Sequence, residues 1–139
     1  MKNVGSAGGR MGIDNSAPEI CSRTFNFAVR IVKLCRALDR SPGVSRTLSR
    51  QLLRSGTSVG ANVEEAQAAI SRKEFIQRIL ISLKEIRESS YWLRLIVASN
   101  VLSESDVPAL LDEAKQIGRV LGKIAATARL NEKATKSNK

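Results

Sequence analysis

Histidine is absent from this chain, and with it the commonest general base near neutral pH and the usual ligand of catalytic zinc. Aromatic residues make up only 4% of the sequence and proline occurs three times, a profile that argues against the strand- and turn-rich sandwiches and barrels. Two cysteines, Cys21 and Cys35, fall on one predicted helix; fourteen residues of about 1.5 Å rise put them roughly 21 Å apart, beyond disulfide reach. They read as reduced core residues. No apolar run approaches the roughly 18–20 residues that cross a bilayer, and the N-terminus lacks an apolar signal core. The expected location is cytoplasmic, with no membrane partner.

What the chain does have is charge and helical periodicity. With 139 residues and 42% hydrophobic content it can build one core. Lysine and arginine outnumber aspartate and glutamate by 23 to 13, a formal net charge of +10. A surplus of that size predicts a polyanionic partner, most often nucleic acid; the plainer alternative is a basic surface that only confers solubility.

Residues 1–16 hold four glycines and few apolar side chains and read as a disordered arm. Their G-S-A-G-G-R is no phosphate-binding loop, because the Gly-Lys-Ser/Thr ending is missing. A first helix starts near Ser16 with Pro18 in its first turn, where a missing N–H costs nothing. Ile20, Phe27, Ile31, Leu34 and Leu38 form one seam, and Cys21, Phe25, Ala28, Val32 and Cys35 the next. Ser41-Pro42-Gly43 ends it. A second helix, with Ser45 as N-cap, runs to about Ala69. A third opens on the capping box Ser71-Arg-Lys-Glu74 and continues to about Ser99, its seam read as Ile76, Ile79, Leu83, Ile86, Ser90, Leu93 and Val97. A fourth, capped at Ser103, carries Val107, Leu110, Ala114, Ile117, Leu121, Ile124 and Ala128. The predicted fold is all-α, an antiparallel up-down-up-down four-helix bundle over 17–130, with a basic flexible tail over 131–139.

The second helix contains R-S-G-T-S-V-G-A-N-V-E-E (Arg54–Glu65), with two glycines four residues apart. Each costs about 1 kcal/mol relative to alanine inside a helix, so something should approach there closely. Gly56 lies on the core-facing line and Gly60 at its edge, which favours a neighbouring helix over a ligand. Asn62 and Glu65 then read as structural polar contacts that set register across helices. With Glu64, Glu85 and Glu88 they could also suggest acid–base or di-metal chemistry, but the Glu-x-x-His motif of di-iron bundles cannot be built without histidine.

Two further patterns bear on function. Basic residues gather at the end of the bundle holding the first connection: Lys33, Arg36, Arg40, Arg46, Arg50 and Arg54, with Arg87 and Arg94 of the third helix in the same half. Like charges at i, i+4 repel, and cations in a first turn oppose the helix dipole. They read as phosphate-backbone contacts, or else as a solvated face answered by distant acids. The second pattern is an apolar line of Ile81, Trp92 and Leu95 opposite the third helix's seam, which reads as an oligomer interface.

Three segments, R-S-G-T-S-V-G-A-N-V-E-E-A (Arg54–Ala66), S-R-K-E-F (Ser71–Phe75) and L-K-E-I-R-E-S-S-Y-W-L-R-L (Leu83–Leu95), resemble the bacterial 23S rRNA intervening-sequence, or S23-like, family over about residues 20–130. The resemblance implies a cytoplasmic four-helix bundle, commonly a ring-shaped homopentamer. Some members are encoded within intervening sequences of ribosomal RNA genes. A more distant similarity is to the accessory variability protein of diversity-generating retroelements, a basic pentamer that binds nucleic acid and a reverse transcriptase. No enzymatic activity is established for the family. The expectation is a non-catalytic homo-oligomer, a pentamer by the resemblance, that binds RNA or DNA through a basic surface with little sequence specificity. No cofactor, metal or catalytic residue is assigned. The alternative is a protein-interaction scaffold or an accessory subunit for a nucleic-acid enzyme such as a reverse transcriptase.

Overall fold

Four helices account for nearly all of residues 17–102 and 106–137, the parts of the chain that the computed structural model describes. They are α1 (Ala17–Leu38), α2 (Val44–Gln67), α3 (Arg72–Ser99) and α4 (Val107–Ser137), and no strand occurs among the described residues. The glycine-rich arm and the expected Ser103 cap lie outside them.

The connections follow from local chemistry, with one departure. Gly43 takes φ +88°, a left-handed conformation that glycine alone adopts without strain. The helix therefore starts at Val44, and Ser45 is a buried first-turn residue instead of the cap; Gly43 occupies the cap position with no side-chain bond. At α3 the Ser71 half of the expected capping box forms, since Ser71 Oγ accepts the backbone N–H of Glu74 at 3.1 Å. Asn100, in the left-handed region at φ 54°, closes its C-terminus. The 131–139 tail departs from expectation too, because α4 continues as helix to Ser137. Its last buried residue is Ala128, so two further exposed turns carry Arg129, Lys133 and Lys136 beyond the core.

One core fills the space between the helices, with Phe27, Ile31, Leu52, Phe75, Ile79, Ile86, Leu93, Ile96 and Leu110 essentially inaccessible. α2 packs against α1 and α3, α3 against α4, and α1 meets α4 more sparsely. The seam of α3 runs through Phe75, Ile79, Ser82, Ile86, Ser89, Leu93 and Ile96. Of the expected seam, Ile76, Ile79, Leu83, Ile86 and Leu93 are buried as read, but toward the end of α3 the neighbouring row replaces it: Val97 is exposed and Ser90 half-exposed. Serines suit this row because α2 comes close. Ser82 Oγ donates to the Val59 carbonyl at 2.7 Å, and Ser89 Oγ to Ser55 Oγ at 2.9 Å.

The two glycines of α2 are explained by α1. A Cβ on Gly56 would stand 2.8 Å from Ile31 Cγ2, and one on Gly60 would stand 3.2 Å from the Thr24 carbonyl oxygen. Just beyond, Ser49 Oγ donates to the Cys35 carbonyl at 3.2 Å while the Cys35 thiol donates to the Ser49 carbonyl at 3.4 Å. Burial pushes that thiol's pKa up, as expected of an inert core cysteine. On the outer side of α1 the expected second seam breaks. Phe25 and Val32 are exposed, and Val29 with them.

Candidate nucleic-acid interface

The α1–α2 connection concentrates positive charge because both flanking helix ends are basic. Between residues 33 and 50 stand Lys33, Arg36, Arg40, Arg46 and Arg50, five cations against the single carboxylate of Asp39. All five are exposed. Arg46 donates to the backbone carbonyl of Asp39 at 2.9 Å, which fixes its guanidinium without neutralising it. Such an arrangement can accept several phosphate oxygens at once.

Arg54 leaves this set. Its guanidinium donates to Glu85 Oε1 at 3.2 Å and forms an ion pair with Glu88, so two carboxylates of α3 answer its charge. The basic stripe of α1 is answered in part as well. Arg23 donates from Nε and Nη2 to both oxygens of Glu113 at 2.7 and 2.9 Å, and Arg30 meets Asp106 at 3.3 Å. These partners lie 90 and 76 residues away in sequence, where helical periodicity cannot pair them.

The Glu88 carboxyl is held below its ordinary value of 4.5 by the Arg54 hydrogen bond first and by that from Trp92 Nε1, at 3.0 Å, second. A depressed carboxylate contributes stability above its unfolded pKa and loses it as pH falls through the folded value. Trp92 is the sole tryptophan, so its emission reports this group. Acid titration of the native chain should show a transition below pH 4.5 in that emission, and Glu88→Gln should remove it.

Of the two polar residues expected to make contacts across helices, Asn62 makes one: its Oδ1 accepts from Arg78 of α3 at 3.3 Å. Glu65 does not. It is exposed, and the α2–α3 link is carried by Ser55, Ser82, Ser89 and Arg54 instead. Along the expected interface, Ile81 is exposed, Leu95 half-exposed, and Trp92 partly buried against the core.

Arg87 and Arg94 do not join the connection's cluster. They line an open groove between α3 and α4 together with Lys115 and Arg119 of α4. Among the described residues no cluster of three or more cysteine or acidic side chains is placed to hold a metal ion. No helix among the described residues is long and apolar enough to cross a membrane.

Residues 17–123 match the family model described as the 23S rRNA-intervening sequence protein. The chain belongs to that family. A solved structure described as a protein with unknown function from the S23 ribosomal protein family of Bacteroides thetaiotaomicron is 35% identical to it, with a TM-score of 0.73 over 81% of this chain and 99% of that one. No curated protein matches.

Within this member of the 23S rRNA-intervening sequence family, several working residues escape sequence reasoning. The buried serines had one usable signal, since Phe75, Ser82, Ser89 and Ile96 repeat at seven residues. Lys115 and Arg119 had none, because only the α3–α4 packing brings them opposite Arg87 and Arg94.

Proposed function

We propose that the protein is a non-catalytic, ring-shaped homo-oligomer, a pentamer, built from antiparallel up-down-up-down bundles, that binds RNA or DNA through its basic surface. Topology is supported by contacts that run in opposite senses along neighbouring helices: Ile31 and Thr24 of α1 meet Gly56 and Gly60 of α2, and Arg54 and Asn62 of α2 meet Glu85 and Arg78 of α3. A closed ring needs two different surfaces on every copy. Exposed Phe25, Val29 and Val32 on α1 and Ile81, with the edges of Trp92 and Leu95, on α3 supply two. Five copies at +10 each would carry a formal +50 on one particle.

The observation that carries the binding function is the exposed connection, where Lys33, Arg36, Arg40, Arg46 and Arg50 face solvent with only Asp39 among them. Its membership of a family named for an rRNA intervening sequence fits an RNA association. Backbone charge should lead, giving weak sequence preference.

The test uses nuclease-treated full-length protein, sized by light scattering and then titrated against labelled RNA and DNA oligonucleotides by fluorescence anisotropy. A pentamer that binds both, and a variant with Arg36, Arg40, Arg46 and Arg50 changed to glutamine that binds at least tenfold more weakly, is the expected result. Absence of binding by the native chain at low salt would rule out the function and favour a protein-interaction scaffold.

A further inference from the structure

The groove between α3 and α4 has a composition unlike the rest of the surface. Arg87 and Arg94 stand along one wall, Lys115 and Arg119 along the other, and no carboxylate lines it. All four cations are exposed and none makes an ion pair among the described residues. The nearest acids in sequence, Glu88 beside Arg87 and Glu113 two residues before Lys115, are outside the lining and are paired with Arg54 and Arg23. Gly118 contributes to the floor, where even an added Cβ would meet nothing closer than Ile86 Cγ2 at 3.6 Å. The groove therefore has space as well as charge, and the Ser90 hydroxyl lies within it.

An aromatic ring adjoins it. Arg87, Tyr91 and Arg94 follow at four- and three-residue spacing and so share one face of α3. Tyr91 is 50% exposed, while its ring rests edge-to-face on Trp92 with centroids 5.1 Å apart. Trp92 is in turn held by its bond to Glu88. Tyr91 is thus a supported ring with an accessible surface between two arginines. Phosphates along the cations and a base on the ring is the chemistry that retains unpaired nucleic acid. In a duplex the base faces are already stacked, so Tyr91 adds nothing there.

We infer that the α3–α4 groove seats single-stranded nucleic acid, with Arg87, Arg94, Lys115 and Arg119 on the phosphates and Tyr91 stacked on a base. The site is distinct from the α1–α2 connection, and the inference rests on the nucleic-acid function proposed above. The connection holds backbone of either strandedness; the groove confers a preference for single strands.

The experiment compares a labelled oligothymidylate with a duplex of equal length. It uses the native chain, Tyr91→Ala, Lys115→Gln/Arg119→Gln, and the four-arginine connection variant, with circular dichroism confirming the fold. Tyr91→Ala should weaken single-strand binding roughly 5- to 150-fold, the effect of one lost stacking contact, and leave duplex binding unchanged. Lys115→Gln/Arg119→Gln should lower the single-strand salt slope by about one per phosphate lost. Trp92 emission, adjacent to the stacked ring, should change on oligothymidylate binding in the native chain. If the native chain binds but both groove variants behave like it, the groove is not the seat, while the connection variant still tests the general function. Equal affinity for poly-glutamate, undiminished by Tyr91→Ala, would overturn the inference in favour of an acidic protein partner. Failure of the native chain to bind any oligonucleotide removes both readings together.

Discussion

Gly56→Val should cost the bundle about 3 kcal/mol in urea unfolding followed by circular dichroism, near the upper end of what overpacking a core costs. The first added carbon already falls 2.8 Å from Ile31 Cγ2 and 2.9 Å from Cγ1. Ile31 is fully buried and β-branched, so its side chain has no free rotamer into which to retreat. Valine's two further methyls enlarge the clash. The helix itself would prefer valine to glycine by a few tenths of a kcal/mol, too little to offset it. Gly122 supplies the control. A Cβ there meets nothing within 4 Å, so Gly122→Ala should stabilise α4 by about 1 kcal/mol. Opposite signs for glycine replacement in two helices would place the cause in α1–α2 contact. Similar losses at both sites would refute it. Protein concentration must be held fixed across the series, since association adds to apparent stability.

The same glycines show how much of this fold could be read before any coordinates. Two of them four residues apart in an otherwise helical pattern announced a close approach, and the pattern correctly made the neighbour a helix. Helix number was equally visible, because apolar spacing and caps such as Ser71 are local properties of the chain, whereas the extra length of α4 beyond its last buried residues was not. What local patterns could not supply was which of two adjacent rows stays buried toward the end of α3, where Ser89 and Ile96 are buried but Ser90 and Val97 are not. Rows Ile76–Leu83–Ser90–Val97 and Phe75–Ser82–Ser89–Ile96 share one period, and a serine reads as polar until a partner is seen. α2 decided it by offering the Val59 carbonyl and the Ser55 hydroxyl.

Charge was the least legible feature. A count of basic residues is accurate from sequence, but which of them remain unanswered depends on acids far along the chain. Arg54 looked equivalent to Arg50 and Arg46, one and two turns before it. In the fold it faces Glu85 and Glu88, while the other two face solvent. Conversely, Lys115 and Arg119 look like ordinary surface residues of α4 until α3 places two arginines opposite them.

That difference gives the second large effect, in the salt dependence of binding. If six to ten phosphates are contacted, nucleic-acid affinity should fall by roughly 10³–10⁵ between 50 and 200 mM salt, because each neutralised phosphate releases condensed counterion. Five cations at the connection and four in the groove, without ion pairs among the described residues, make that number reachable within one subunit. Individual arginines should then divide by their partners. Arg50→Gln should reduce the slope of log affinity against log salt by about one, the loss of one phosphate contact. Arg54→Gln should leave that slope unchanged, since its charge already resides in a pair with Glu85 and Glu88. Its effect should appear as modest destabilisation and altered Trp92 emission, through release of Glu88. A salt response that is flat in the native chain would remove the electrostatic basis of the proposed function. Equal slope changes for Arg50 and Arg54 would instead mean that nucleic acid displaces the carboxylates, and that the pair seen in the free protein is broken on binding.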